Sequence, residues 1–184
     1  MKTVLASIVP VVLAAGLAFG QAGSIGVFED NTGADCSMED RMAGLFVVHV
    51  VHVNTSGATA STFAAEDGPG FTGVWLSDTT PYPLVVGYSH GPMGLSQGYG
   101  ACLTSPIHIA SMNYFGYGTS AACSWIRVVP PAEAASGQID VVDCNNSVVY
   151  ATGGTLIVNP TDDCVCDVPA DNLTWGAIKA MFHQ

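Results

Sequence analysis

The residues whose types and spacing could do chemistry are Gly87-Tyr88-Ser89-His90-Gly91. They match the G-x-S-x-G pattern, in which a sharp strand-to-helix turn presents a serine hydroxyl for attack on a carbonyl carbon. Pro83–Val86 supplies a preceding strand. Such a serine needs a base, an acid that orients the base, and a helix after the turn. Pro92-Met93-Gly94 and Gly98-Tyr99-Gly100 break that helix. An acid and then a His must follow in the chain. Asp140, Asp143, Asp162 or Asp163 can precede His183, but His183 is the penultimate residue. In a chain with 21 glycines the ordinary alternative is a polar loop between two strands, with no catalytic residue.

Histidine is the other chemical resource. The five are His49, His52, His90, His108 and His183. His49 and His52 lie three apart in a Val-rich run, so as strand residues they face opposite sides and cannot share one ion. His49 among valines and His108 between Ile107 and Ile109 read as hydrogen-bonded core histidines. No H-E-x-x-H and no His-x-His chelate is present, so no metal site is expected. Glu29-Asp30-Asn31-Thr32-Gly33-Ala34-Asp35 is rich in carboxylates. Thr32 and Ala34 stand where a calcium loop places acids or amides, so it reads as a solvated turn.

Among the aromatics, Tyr114, Phe115 and Tyr117 in Asn113-Tyr114-Phe115-Gly116-Tyr117-Gly118 form the best binding candidate, at a presumed hairpin tip. Exposed flat rings there would stack on sugars or dock a protein. Trp75 and Trp125 are expected in the core.

All six cysteines, Cys36, Cys102, Cys123, Cys144, Cys164 and Cys166, lie beyond the N-terminal apolar segment. An even count in an exported chain reads as three disulfides. Cys164-x-Cys166 lacks the two-residue gap of zinc knuckles. Folding Ser124–Val129 against Ile139–Cys144 as an antiparallel pair sets Val128 opposite Ile139 and Cys123 opposite Cys144. That predicts a Cys123–Cys144 bridge, leaving Cys36 and Cys102 to pair with Cys164 and Cys166 in either order.

Export itself is expected from Met1-Lys2-Thr3, the apolar run Val4–Phe19 and small residues at Ala18, Gly20 and Ala22. These describe a cleaved secretory leader over 1–22. After leader removal no membrane span is expected. The chain has four basic residues against 15 acidic ones and a net charge of −11, which repels nucleic acid and anionic lipid. No cofactor is indicated.

The element that positions everything else is Leu45–Val53, the densest β-branched run. It reads as a central strand with Val47, His49, Val51 and Val53 on one side, Phe46, Val48, Val50 and His52 on the other, and both sides covered. Ser24–Phe28 precedes it. Thr59–Ala65, Phe71–Leu76, Tyr82–Tyr88, Gln97–Leu103, Ile107–Phe115, Ser124–Val129, Ile139–Cys144, Val148–Ala151 and Thr155–Asn159 follow. Gly and Pro punctuate them at intervals of about ten residues, which predicts an all-β, antiparallel β-sandwich of jelly-roll or Ig-like type, or alternatively a β-barrel. The sandwich would occupy 23–168. The remaining 169–184 would hold a short helix with Trp175, Ile178 and Phe182 on one face.

Two family resemblances bear on function. The Gly87–Gly91 motif, the chain's size and its cysteines resemble secreted cutinase-like esterases, which implies Ser89 as nucleophile. The stretch Thr174-Trp175-Gly176-Ala177-Ile178-Lys179-Ala180, with Thr72-Gly73-Val74-Trp75-Leu76-Ser77-Asp78 and Tyr150-Ala151-Thr152-Gly153-Gly154, resembles uncharacterised secreted β-rich proteins of environmental bacteria. That resemblance implies export and no particular activity. The expectation is thus an exported, disulfide-stapled, non-enzymatic structural or binding module, secreted, periplasmic or at the cell surface, touching a surface or extracellular polymer. A Ser89 esterase and a carbohydrate-binding module using Tyr114, Phe115 and Tyr117 are the alternatives.

Overall fold

The structure, a computed structural model, describes residues 21–166. The expected leader up to Gly20 and the expected C-terminal helix lie outside the described residues. Among those described there are twelve strands and no helix. They are β1 (Ser24–Phe28), β2 (Ser37–Met38), β3 (Ala43–Val53), β4 (Ala58–Asp67), β5 (Val74–Thr79), β6 (Leu84–Gly87), β7 (Leu95–Leu103), β8 (Ile107–Tyr117), β9 (Ser124–Val129), β10 (Ile139–Asp143), β11 (Val148–Gly153) and β12 (Thr155–Val158).

The Val-rich β3 is central, as its composition predicts, with β1 on one edge and β8 on the other. β5 pairs with the far edge of β8. These four strands form one layer. In the opposing layer β4 takes β7 and β10 along its first half and β9 along its second, while β6 extends β7 and β12 extends β9. Alternation turns Val48 and Val50 of β3, with Met112 and Tyr114 of β8, toward Phe63, Leu95, Ile126, Val128, Val141 and Leu156 of the other layer. All are buried in one cluster. Each such side chain contributes about 1.5–3 kcal/mol on full burial, so this shared core holds the layers together. The fold is an all-β sandwich. Its strand path ends at β2 and β5, so it is not a closed barrel.

Three expectations are corrected. The sandwich is not wholly antiparallel: β1 pairs with β11, and β2 with β12, in parallel. Next, β9 and β10 are not a hairpin. β4 is ten residues long, enough to give β10 one half of its length and β9 the other, so the Pro130–Gly137 connection carries the chain along β4 rather than back on itself. The Val128–Ile139 register therefore fails, and the Cys123–Cys144 bridge fails with it. The disulfides are Cys36–Cys166, Cys102–Cys144 and Cys123–Cys164. Gly57 makes room for the second: at φ +149°, a Cβ there would lie 2.5 Å from the Cys144 sulfur.

His52 is fully buried, and its Nε2–H donates to the Ala22 carbonyl at 2.6 Å. Burial lowers its pKa, only partly opposed by that hydrogen bond. An unfolded chain takes up a proton near the ordinary imidazole value of 6.5, while folded His52 refuses it until lower pH. Stability is therefore expected to fall as pH drops below about 6.5, and His52→Gln to flatten that slope between about pH 7 and 5.5. Denaturant titrations at stepped pH measure it. Separately, Cys102 and Cys144 lie 42 residues apart. On the chain-entropy model, replacing both with Ser is expected to cost about 4 kcal/mol, read from unfolding midpoints.

Candidate functional site

Ser89 lies in the loop between β6 and β7, and the strand-loop-strand path leaves no helix after Gly91. Gly87 serves the loop's geometry: at φ +81° its Cβ would lie 2.1 Å from the Gly94 carbonyl oxygen. Around Ser89 the fold assembles polar groups that no local spacing joins. Asp78 comes from β5, Asp67 from the end of β4, Tyr114 from β8. The Ser89 hydroxyl donates to Asp78 Oδ1 at 2.8 Å, and its backbone N–H donates to Asp78 Oδ2 at 2.6 Å. Trp75 Nε1–H donates to the same carboxylate at 3.1 Å. His90 Nδ1 lies 2.9 Å from Ser89 Oγ, and its Nε2 lies 3.3 Å from Asp67 Oδ1 and 2.9 Å from the Tyr114 oxygen. Tyr114 donates to Asp67 at 2.9 Å. The His90 ring stacks on Trp75, with centroids 5.2 Å apart and planes at 24°.

A serine, a histidine and two carboxylates thus meet, but the proton bookkeeping does not activate Ser89. A serine has one hydroxyl proton, and the ionised Asp78 oxygen is the stronger acceptor. While that proton points to Asp78, His90 Nδ1 meets Ser89 Oγ as a donor, the opposite of a base's role. Ser89 is also fully buried. Tyr114, on which the network closes, is fully buried too. Its hydroxyl pKa is pushed up by burial first and then by the charge of Asp67, so it stays a neutral donor. The cluster binds the β6–β7 loop to β5, β4 and β8 as a structural clamp.

Tyr114 accordingly leaves the expected aromatic patch. Its segment is not a hairpin tip but the end of β8, paired on both edges with β3 and β5. Phe115 and Tyr117 point to the other side. Their rings stand 5.4 Å apart at 76°, which gives no flat platform for a sugar. They belong instead to an apolar outer face that the sequence expectation treated as covered. Leu45, Phe115 and Val74 form one row across β3, β8 and β5, with Tyr117 opposite Ala43 in the row above. Leu45 is 76% exposed, and Val47, Val74 and Tyr117 are also exposed. Among the described residues, coverage is confined to the other end of β3, where Val51 and Val53 pack with Phe28, Cys36 and Cys166.

The remaining candidates sort simply. Asp30 accepts from the backbone N–H groups of Thr32, Ala34 and Asp35, so its lone pairs face its own loop. Burial raises its pKa, but these bonds and that of the Thr32 hydroxyl outweigh it and leave the carboxyl below its usual value. Among the described residues no three His, Cys, Asp or Glu side chains converge as metal ligands. No described helix is long and apolar enough to cross a membrane. His49 and His108 are not separate core histidines: they meet on the outer face, across the β3–β8 pair.

No family model matches the sequence, and no curated protein matches it. Among solved structures, the sixth cohesin of Acetivibrio cellulolyticus scaffoldin B, in complex with a Cel5 dockerin mutant, is 16% identical. It covers 77% of this chain and 100% of its own, with a TM-score of 0.48. A cohesin module from a Clostridium perfringens family 33 glycoside hydrolase is 9% identical, covering 69% of this chain and 93% of its own at a TM-score of 0.46. The third cohesin ScaC of Acetivibrio cellulolyticus, in complex with the ScaB dockerin, is 9% identical, covering 73% and 97% at 0.42.

If the cluster is a clamp, a fluorophosphonate probe leaves Ser89 unlabelled, while Ser89→Ala lowers unfolding free energy by about 1–3 kcal/mol through loss of a part-buried bond to a carboxylate. Stoichiometric labelling would overturn the assignment.

Proposed function

We propose that this protein is an exported, non-enzymatic binding module that docks a protein partner on the apolar outer face of the β1–β3–β8–β5 layer. The observation that carries this is the row Leu45–Phe115–Val74, with Val47 and Tyr117 beside it: five apolar side chains from three paired strands held toward solvent. Such contiguous exposure marks interaction surfaces, whereas single exposed apolar residues do not. The strands beneath are rigidly paired, so the face is preorganised and loses little conformational freedom on docking. Export accords with the N-terminal segment 1–22 and with three disulfides, which persist in oxidising compartments.

Leu45→Asp and Phe115→Asp are expected to leave thermal stability nearly unchanged, because these side chains project outward. They are expected to weaken the partner complex by about tenfold or more, as central interface residues do. The partner is captured from proteins exported by the same cells, purified, and titrated against wild type and both variants. Equal affinities would refute docking on this face.

A further inference from the structure

The outer face changes character along its length. Beyond the apolar rows and the Val47–Asn113–Ser77 row comes a polar one, in which His49 of β3 stands opposite Ser111 of β8, and Ser111 opposite Thr79 of β5. A β-bulge follows. Val50 faces Ala110, but Val51 faces His108, so Ile109 is an extra residue in β8. In a regular ladder Ile109 would oppose Val51, and His108 would oppose buried His52 on the core side. The bulge keeps Ile109 buried and turns His108 outward beside His49.

We propose that His49, His108 and Ser111 form a binding site for a divalent transition-metal ion. His49 Nδ1 is 3.2 Å from His108 Nε2 and 2.9 Å from Ser111 Oγ, and His108 Nε2 is 3.1 Å from Ser111 Oγ. Three donor atoms thus make a nearly equilateral triangle. Two donors about 2.1 Å from one ion, at an angle of about 90–110°, stand about 3.0–3.4 Å apart, so an ion above the triangle reaches all three. Both rings are half-buried, which leaves the ion's remaining positions to water. Both imidazoles are also held neutral, the form that binds metal. Burial lowers the pKa of each, and for His49 the neighbouring His108 lowers it further while Asp30 acts weakly against. Imidazole donors select Zn²⁺, Ni²⁺ or Cu²⁺ over Mg²⁺ and Ca²⁺. The chain's net charge of −11 concentrates cations near its surface. This inference is independent of partner docking.

The test uses tag-free protein with its disulfides intact. Calorimetry with Zn²⁺ and visible absorption with Co²⁺ are expected to give one ion per chain. Losing an outer partner of a metal ligand costs about 10–100-fold in affinity, and His49→Gln or His108→Gln, losing a ligand itself, is expected to cost no less. Should a variant fail to fold, imidazole NMR of the wild type decides: Zn²⁺ is expected to shift the His49 and His108 ring resonances and leave those of His52 unmoved. Absence of binding, affinity unchanged in both folded variants, or shifts confined to other histidines would each overturn the site.

Discussion

The antiparallel ladder between β3 and β8 is the constraint from which the rest follows. It runs from Ala43 opposite Tyr117 to His52 opposite Ile107, the longest register in the molecule as described. Its period-2 alternation sends Val48, Val50, Met112 and Tyr114 into the core. By the same geometry it sends Leu45, Val47, Phe115 and Tyr117 to the outside. Neither set could change without the other, because a one-residue slip would exchange the faces. The single bulge at Ile109 is where the ladder departs from alternation, and there a histidine that would be buried is brought to the surface. The apolar face, the histidine pair and the Tyr114 end of the polar clamp are three consequences of one pairing.

The clamp shows how a chemical motif and a structural one can share residues. Ser89, His90 and Asp67 form a run of hydrogen-bonding contacts, as in a hydrolase, yet the serine hydroxyl donates to Asp78. A half-buried carboxylate beside the indole of Trp75 is stabilised by donors on both oxygens. Ser89 supplies two of them, from hydroxyl and backbone. The glycines that make the sequence resemble a nucleophile elbow are there for the loop: Gly87 takes a left-handed conformation under the Gly94 carbonyl. The order of need is therefore inverted. In a catalytic serine the surroundings serve the hydroxyl, whereas here the hydroxyl serves a carboxylate.

What was legible in the sequence was what local composition determines. β-branched runs and Gly-Pro punctuation give the strands, and the Val-rich β3 is central as expected. The even set of cysteines is fully paired. What was not legible depends on which strands become neighbours. The partners of Cys123 and Cys144 follow from β4 accepting both β9 and β10, and nothing in the Pro130–Gly137 connection announces that. Likewise Tyr114, Phe115 and Tyr117 look alike as a cluster, but successive strand residues face opposite sides, and only the location of the other layer says which side is wet. His49 and His108 are 59 residues apart, so their meeting was invisible to any spacing rule. Alternation already grouped Val47 with His49 and Val51; what it could not supply was that cover stops short of Val47.

The placement of the disulfides explains why that cover stops where it does. Cys36–Cys166 draws the segment after β1 and the end of the described chain over Val51 and Val53, at one end of β3. Cys102–Cys144 and Cys123–Cys164 tie loops and strand ends. None crosses the middle of the outer face. A domain of this size gains from such covalent constraints because they restrict the unfolded chain without needing more buried surface. Stability is thereby supplied from the periphery and from the shared core, and the outer rows of β3, β8 and β5 are released from the need to be covered. Among the described residues an apolar sheet face can stay uncovered because their packing does not depend on closing it.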